Sequence, residues 1–283
     1  MPQFHSDDNS AAEAMTARLG KVLIVGGGSM GQALCAGLVR MGVARDDICV
    51  ANPGLAKREA IEAAYGVCTV PDAREGLPAS TVFLAVKPNV VCEVARQLDA
   101  AGATGSLFVS IAAGVSTAKL EACFSAPVPV VRVMPNTPLI VGRGMSAVSG
   151  GAHAGADEVG LVRDVFASMG HAVIVDEDKQ DIVTAVSGSG PAYFELFVET
   201  IARSAEKLGL DYETARELAL QTMYGTAALV DETKADLPAA IQAVCSPGGT
   251  TIAALDAMRA GQLEQAIDDG IAAATRRSAE LGA

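Results

Sequence analysis

Residues 21–176 contain short apolar runs separated by segments with helical spacing. Val22–Val25 is one such run, with four apolar residues and no polar face, which is typical of a strand buried in a parallel sheet. Further strands are predicted at Ile48–Ala51, Val67–Val70, Thr81–Val86, Leu107–Ile111, Val128–Met134, Met145–Ser149 and Ala172–Val175. Helices are predicted at Ser29–Met41, Lys57–Tyr65, Val90–Leu98 and Asp157–Met169. This alternation predicts a mostly parallel sheet with helices on both faces.

The strand pattern stops after Asp176, and only helical segments follow. They are predicted at Asp178–Val186, Ala192–Leu208, Tyr212–Asp231, Leu237–Val244 and Ile252–Leu281. The apolar faces of these helices need a surface that buries them, and the same helices of a second chain would supply one. We therefore hypothesise a homodimer that forms through this half of the chain.

A glycine-rich segment joins the first predicted strand to the first predicted helix. Gly26, Gly28 and Gly31 have the G-x-G-x-x-G spacing of a dinucleotide pyrophosphate site. In that role the first glycine allows a tight turn, the second lets the backbone approach the pyrophosphate, and the third lets the helix pack closely on the strand. A purely structural glycine-rich turn is the alternative. The strand before the turn and the helix after it favour nucleotide binding, since the N–H groups at the helix start would face the phosphates.

Asn52 is the residue expected to select the cofactor. An acidic residue at the end of the second strand, about 20 residues past the glycines, normally binds the ribose hydroxyls of NAD. Asn52 stands there instead, without a charge that would repel a 2′-phosphate, so we predict that NADPH is preferred over NADH. Lys57 and Arg58 follow closely enough to approach that phosphate, although both residues are equally compatible with solvated surface charges.

These patterns predict an α/β fold with an N-terminal Rossmann-like dinucleotide-binding domain and a C-terminal all-α dimerisation domain. Residues 21–176 are assigned to the first domain, and residues 177–283 are assigned to the second, which is also expected to bind the substrate. Residues 1–20 are polar and lack the apolar core of a secretory signal. We expect these residues to form a flexible extension with no catalytic role.

Composition and charge narrow the possible functions. The chain of 283 residues is 50% hydrophobic and has a formal net charge of -12. No block of Lys and Arg appears, so we expect no nucleic-acid partner. No apolar run approaches the ~20 residues that span a bilayer, so we expect no membrane segment. Six cysteines without a C-x-x-C pair indicate reduced thiols in the cytoplasm, and three dispersed histidines suggest no metal site.

Two glycine-rich segments of the helical half are candidate substrate sites. Ser187–Tyr193 (SGSGPAY) and Ser246–Thr251 (SPGGTT) are each expected to open a helix. Unpaired N–H groups and the positive end of the helix dipole would make each of them suited to a carboxylate. Helix capping alone is the alternative, but it does not require two glycines followed by two threonines.

Three segments of the first half also place small or polar groups at strand ends. Lys87 ends the run FLAVKP at the edge of the sheet where ligands bind in this fold class, although a solvated lysine is also possible. The small residues of SIAAGV would let a flat ring lie against the backbone. In RVMPNTP two prolines bracket Asn136, which either faces the cofactor or closes a turn.

The ordered set GGGSMG, FLAVKP, SIAAGV, RVMPNTP, SGSGPAY and SPGGTT closely resembles pyrroline-5-carboxylate reductases, from about Lys21 to the C-terminus. The last two motifs are highly specific to that family. The resemblance implies reduction of the cyclic imine 1-pyrroline-5-carboxylate to L-proline with NADPH or NADH. It also implies homodimers with interlocked helical domains, often assembled into larger rings such as a decamer.

The motifs assign a role to each candidate site residue. The cofactor residues are Gly26, Gly27, Gly28, Ser29, Met30, Gly31, Asn52, Ala85, Val86, Lys87, Pro88, Ala112, Ala113, Gly114 and Asn136. The substrate carboxylate is assigned to Ser246, Pro247, Gly248, Gly249, Thr250 and Thr251, with Thr251 nearest the reacting ring as the catalytic residue. This chain departs from the family at Asp72-Ala73, where an Asn near the adenosine is common, and at the connector Asp231–Leu237.

Two other functions are compatible with this scaffold. A related imine or β-hydroxyacid reductase is one, but β-hydroxyacid enzymes rely on a lysine of the helical domain. Lys179, Lys207 and Lys234 lie outside the glycine-rich motifs. A non-catalytic NADP sensor is the other, but a sensor has no need of the SPGGTT turn.

Overall fold

A computed structural model describes residues 6–282 of the chain, with side chains described from residue 13. Eight strands form one sheet with the order β3-β2-β1-β4-β5-β6-β7-β8, in which only the β6–β7 pair is antiparallel. The strands are β1 Val22–Val25, β2 Ile48–Ala51, β3 Cys68–Val70, β4 Thr81–Leu84, β5 Leu107–Ser110, β6 Val130–Met134, β7 Gly144–Gly150 and β8 Gly170–Ile174. The first six strands have the doubly wound order of dinucleotide-binding folds, which confirms the predicted fold class.

The described residues form twelve α-helices. They are α1 Ser6–Leu19, α2 Ser29–Met41, α3 Leu55–Tyr65, α4 Pro88–Ala100, α5 Thr117–Glu121, α6 Ala156–Ala167, α7 Gln180–Val183, α8 Gly190–Lys207, α9 Tyr212–Thr233, α10 Leu237–Ala243, α11 Thr250–Ala260 and α12 Leu263–Gly282. None of these helices combines the length and the apolarity that crossing a bilayer requires.

The central strands of the sheet are buried on both faces, as their apolar runs predicted, whereas the edge strands β3 and β8 are partly exposed. Alternate residues of β1 enter two separate cores, so that Ile24 packs on one face and Leu23 on the other. On the first face Phe83 meets Phe166 of α6 edge to face at 6.4 Å between ring centroids. The second face is built around Phe108, which is fully buried. This packing fixes the strand ends that carry the cofactor motifs.

The chain divides into two compact units. The first contains the described residues up to Ser189 together with those from Ala274 onwards, and the second is Gly190–Ala273. This division falls later than the predicted boundary at residue 176, because residues 177–189 pack with the sheet. Gln180, for example, is fully buried and donates through Nε2 to the carbonyl of Ala147 at 3.2 Å. The end of α12 likewise returns to the first unit.

The structure differs from the sequence predictions in two further helices. The expected loose extension is a helix over Ser6–Leu19, because Leu19 is fully buried and Met15 packs against the core of the first face. Residues 1–5 lie outside the described part of the chain. The single helix expected at 252–281 is two helices, α11 and α12, because Gln262 has a positive φ of 60° that interrupts the helix.

Candidate active site

The turn after β1 contains two glycines that cannot carry a side chain. Gly26 has φ +115°, and a Cβ there would lie 2.4 Å from the carbonyl oxygen of Ala85. A Cβ on Gly31, in the first turn of α2, would lie 1.9 Å from the carbonyl oxygen of Gly26. The first and third glycines are therefore required by the fold itself, because they bring β1, β4 and α2 into close contact.

Gly28 differs from its neighbours because a Cβ there would meet nothing within 4 Å. Gly28 precedes α2 as its N-cap, and no side chain caps the helix start. The backbone N–H groups that begin α2 therefore lack intrahelical acceptors and have an open space beside them. A glycine without a packing reason, next to free N–H donors, fits a pyrophosphate group.

Asn52 lies beside this turn at the end of β2. Its Oδ1 accepts from the N–H of Gly27 at 3.3 Å, and its Nδ2 donates to the carbonyl of Gly54 at 3.3 Å. Arg58 donates through Nη1 to the carbonyls of Asn52 and Pro53 at 2.9 and 3.0 Å. A cation is thus fixed at the loop where a 2′-phosphate is expected.

Lys57 and Gln32 lie near Asn52 and the glycine turn, and a hydrogen bond holds the side chain of one of them. Lys57 is exposed, and among the described residues no hydrogen bond or ion pair fixes its side chain. Gln32, which the sequence predictions missed, donates from Nε2 to the carbonyl of Gly27 at 3.0 Å and so fixes the glycine turn. A polar residue in the first turn of α2 was the only signal for it.

The end of β4 approaches the same turn. The N–H of Ala85 donates to the carbonyl of Val25 at 2.8 Å, which sets Ala85 and Val86 beside Gly26. Lys87 is the N-cap of α4, and Pro88 is in its first turn, where a missing N–H costs nothing. The Lys87 side chain is exposed, and no hydrogen bond or ion pair to it is found within the described residues.

Two of the small residues after β5, Ala112 and Gly114, pack against other parts of the chain. Ala112 is 3% exposed, and its N–H donates to Ser110 Oγ at 3.3 Å. Gly114 has φ +78°, and a Cβ there would lie 2.4 Å from the carbonyl oxygen of Ser278 in α12. Gly114 is thus small because α12 approaches it. Ala113 stays half-buried and remains a candidate contact for the cofactor.

The hydrogen bonds of Asn136 support the alternative in which this residue has a structural role. Its Oδ1 accepts from the N–H of Met145 at 2.8 Å, and its Nδ2 donates to the carbonyl of Ser187 at 3.1 Å. In a regular helix the carbonyl of Ser187 would accept from residue 191, but Pro191 has no N–H. Asn136 supplies the missing donor, which accounts for its position between two prolines without any ligand.

Ser187–Tyr193 contains a helix start as predicted, because α8 begins at Gly190. The chain reaches this start from a π-helical turn, Thr184–Gly188, and the N–H of Ser189 donates to the carbonyl of Thr184 at 2.8 Å. Since Pro191 also has no N–H, this segment offers fewer free N–H groups than predicted. The glycine at 188 has a packing role, because a Cβ there would lie 2.4 Å from Met134 Cε.

Ser246–Thr251 does open a helix as predicted. The N–H of Gly249 donates to the carbonyl of Ser246 at 2.8 Å, and Gly248 has φ +69°. Pro247 followed by a glycine with positive φ is the sequence that a type II turn prefers. Gly249 is the N-cap of α11 without any side-chain cap, so the first N–H groups of α11 have no intrahelical acceptor.

This turn has the features of an anion site. The dipole of α11, an 11-residue helix, adds positive potential at its start. Thr250 and Thr251 are the first two helical residues, and Thr251 is half-buried while Thr250 is exposed. Two hydroxyls and several N–H donors at a helix start can bind a carboxylate. Within the described residues no cluster of three or more His, Cys, Asp or Glu side chains is arranged to hold a metal ion.

Comparisons with known proteins agree with both halves of this description. Residues 177–281 match the family model for pyrroline-5-carboxylate reductase dimerisation, and residues 21–114 match the model for NADP oxidoreductase, coenzyme F420-dependent. A pyrroline-5-carboxylate reductase from Synechocystis is 41% identical over 262 residues, covering 92% of this chain and 97% of the relative. This chain belongs to the pyrroline-5-carboxylate reductase family. The family match of the helical half begins at residue 177, the first residue of the predicted second domain.

Solved structures of family members have the same fold. A pyrroline-5-carboxylate reductase from Coxiella burnetii has a TM-score of 0.86 and 35% identity, covering 94% of this chain and 99% of that one. A pyrroline carboxylate reductase from Plasmodium falciparum, solved with NADP bound, has a TM-score of 0.85 and 27% identity, covering 94% and 99%. The chain therefore spans nearly the whole length of these family members.

One departure from the family pattern has a visible local role. Asp72, at the position where an Asn is common, caps a 3₁₀ turn by accepting from the N–H of Arg74 at 2.9 Å. The Arg74 guanidinium also pairs with the Asp72 carboxylate. Hydrogen bonds from the Arg74 side chain and backbone lower the pKa of Asp72 to about 2. Asp72 is therefore charged at neutral pH.

Proposed function

We propose that this chain is an NADPH-dependent reductase that converts 1-pyrroline-5-carboxylate to L-proline, the last step of proline biosynthesis. The Ser246–Thr251 turn carries this proposal, because many oxidoreductases share the glycine turn after β1. Its helix-start N–H groups and two hydroxyls match the carboxylate of this substrate. Family membership supports the same reaction.

The residues around β1 and β4 fit a dinucleotide. The open space at Gly28 and the free N–H groups of α2 would hold the pyrophosphate, while Ala85–Pro88 would line the nicotinamide side. NADPH supplies a hydride when it is bound. Gly26 and Gly31 shape this site through the close packing of β1, β4 and α2.

The chain has little proton chemistry to perform. A protonated cyclic imine is already electrophilic, so orientation contributes more than a strong acid. Thr251 would accept or donate a hydrogen bond at the ring nitrogen and so set the orientation of the ring. A threonine hydroxyl is a poor proton source near neutral pH, so Thr251 positions the substrate rather than acting as a general acid.

Asn52 and Arg58 support a preference for NADPH. Asn52 is uncharged and hydrogen-bonded to the glycine turn, so no carboxylate opposes a 2′-phosphate there. Arg58 is held at the same loop by two backbone carbonyls. These contacts leave the other nitrogens of its guanidinium available for an anion.

A homodimer formed through Gly190–Ala273 is part of the proposal. An apolar groove of about 1100 Å³ lies between α8 and α9, lined by Phe194, Phe197, Ile201 and Leu218 among others. Phe194 is 60% exposed and Leu218 58% exposed, which is unusual for side chains of this size. The match to the dimerisation model supports a second copy as the occupant. A ring of dimers such as a decamer follows only from the family resemblance.

A cytoplasmic location completes the proposal. All six cysteines are free, including Cys49 and Cys68, whose Sγ atoms lie 3.5 Å apart. Free thiols are typical of a reducing compartment.

The alternative reductases find less support. Lys179 and Lys234 are paired with their neighbours Asp178 and Asp231, each at 2.6 Å, and Lys207 is an exposed residue in the last turn of α8. None of the three lies in the Ser246–Thr251 turn. A lysine acid of the β-hydroxyacid type therefore has no candidate within that turn.

Oxidation of NADPH in the presence of pyrroline-5-carboxylate tests the proposal directly. Absorbance at the nicotinamide band should fall with a matching appearance of proline, and a six-membered cyclic imine should react more slowly. Absence of turnover, with NADPH binding intact, would favour a sensor. Faster turnover of the six-membered imine would favour a different imine reductase.

A further inference from the structure

The end of α12 packs against the loop after β5 through two glycines. Gly114 has φ +78°, and a Cβ there would lie 2.4 Å from the carbonyl oxygen of Ser278 and 2.8 Å from the backbone nitrogen of Gly282. Conversely, a Cβ on Gly282 would lie 1.8 Å from the carbonyl oxygen of Gly114. Backbone meets backbone on both sides, so neither position accepts a side chain unless the loop or the helix end moves.

Polar contacts fix the helix end at this place. Lys119 donates through Nζ to the carbonyl of Gly282 at 2.7 Å, which places a cation at the negative end of the helix dipole. Ser278 is 2% exposed and donates through Oγ to Asp181 Oδ1 at 2.7 Å. Asp181 in turn lies 3.4 Å from Nη2 of Arg132, whose side chain is 5% exposed.

The same arginine also fixes the far side of the loop. Glu177 lies 3.5 Å from Arg132 and accepts from both the N–H and the Oγ1 of Thr117, each at 2.6 Å. Thr117 begins α5, three residues after Gly114. The loop is therefore held at one side by α12 and at the other by Glu177. The position of Ala113, the residue before Gly114, is therefore set by contacts on both sides of it.

We propose that Ser278 and Gly282 are positioning residues that set the Ala112–Gly114 loop against the nicotinamide half of the cofactor. This inference rests on the proposed function, which places the nicotinamide beside the end of β4. The loop follows β5, which is the neighbour of β4 on the side of β1 away from β2 and Asn52. If the contact between α12 and this loop served stability alone, its loss would weaken the binding of every ligand of the first unit equally, or of none. A positioning role predicts that only ligands with a nicotinamide are affected.

Gly282→Ala tests the proposal, with Gly160→Ala as the matched control. Both are helical glycines of the first unit, but a Cβ on Gly160 in α6 would meet nothing within 4 Å. Two ligands are titrated by calorimetry: NADPH, and 2′,5′-ADP, which has the phosphorylated ribose but no nicotinamide. In Gly282→Ala the Kd for NADPH should rise by about tenfold, the scale of an overpacked contact, while the Kd for 2′,5′-ADP stays within about twofold. Gly160→Ala should leave both values unchanged.

Kinetics and a second variant complete the test. In Gly282→Ala the kcat should fall, while the KM for the imine stays near its wild-type value. Ser278→Ala removes the hydrogen bond to Asp181 without adding atoms, so it should raise the Kd for NADPH by less than Gly282→Ala, again without affecting 2′,5′-ADP. If Gly282→Ala does not fold, the titrations of Ser278→Ala test the proposal alone. Equal weakening of both ligands, or of neither, would overturn the proposal. Wild-type protein that binds NADPH without reducing the imine would refute the reductase function and leave these titrations interpretable.

Discussion

Replacing Asn52 by aspartate should move the cofactor preference from NADPH towards NADH. The substitution keeps the shape of the side chain and the acceptor that receives the N–H of Gly27 at 3.3 Å. It replaces the donor to the carbonyl of Gly54 with a second carboxylate oxygen. That loss is worth ~0.5–1.5 kcal/mol and affects both cofactors equally.

The new charge affects only the cofactor with a 2′-phosphate. Two unit charges ~4 Å apart repel by ~4 kcal/mol at an effective dielectric of ~20. Asn52 is only half-buried, so solvent and salt should reduce the repulsion to ~1–2 kcal/mol. This corresponds to about a five- to thirtyfold fall in the ratio of kcat/KM for NADPH over that for NADH. The carboxylate would also accept hydrogen bonds from the ribose hydroxyls of NADH.

The assay measures kcat/KM with both cofactors at one ionic strength. Asn52→Ala is the control, because it removes both hydrogen bonds without adding a charge, and its ratio should change little. Arg58→Met should also lower the ratio, by weakening NADPH alone. The reasoning is refuted if Asn52→Asp and Asn52→Ala have the same ratio, or if the wild-type enzyme favours NADH.

Four further outcomes are expected. Gly28→Val should abolish NADPH binding in calorimetry while the circular dichroism spectrum stays native, because the side chain would occupy the open space at the turn. Wild-type affinity for NADPH in this variant would show that the turn does not bind the cofactor. Thr251→Ala should lower kcat/KM by an amount equivalent to ~1–3 kcal/mol, and an unchanged value would reject Thr251 as a substrate contact. Phe194→Asp should give monomers in light scattering with low activity, since Phe194 is 60% exposed in the single chain, and a fully active monomer would reject the interface. Burial raises the pKa of Cys35 to about 11, so iodoacetamide at pH 8 should label exposed Cys68 well before Cys35, as mass spectrometry of peptides would reveal.

Local sequence determined much of the fold and part of the site. The apolar runs predicted every strand of the sheet to within a few residues. The signal is strongest in the central strands, because a strand buried on both faces needs no polar positions. The glycine spacing predicted the turn after β1, and Pro247-Gly248 predicted the turn before α11. In each case the signal lies within a few residues of the feature, so that backbone geometry alone produces it.

Contacts between distant segments decided the rest. Gly114 looked like a ligand-facing residue, but the helix end that requires it lies more than 160 residues along the chain, at Gly282. Asn136 looked like a cofactor contact, but it donates to the carbonyl that Pro191 leaves without a partner. Small and polar residues have the same sequence signature whether a ligand or another part of the chain approaches them. Periodicity and composition cannot separate these cases, because only the folded chain determines which surface comes near.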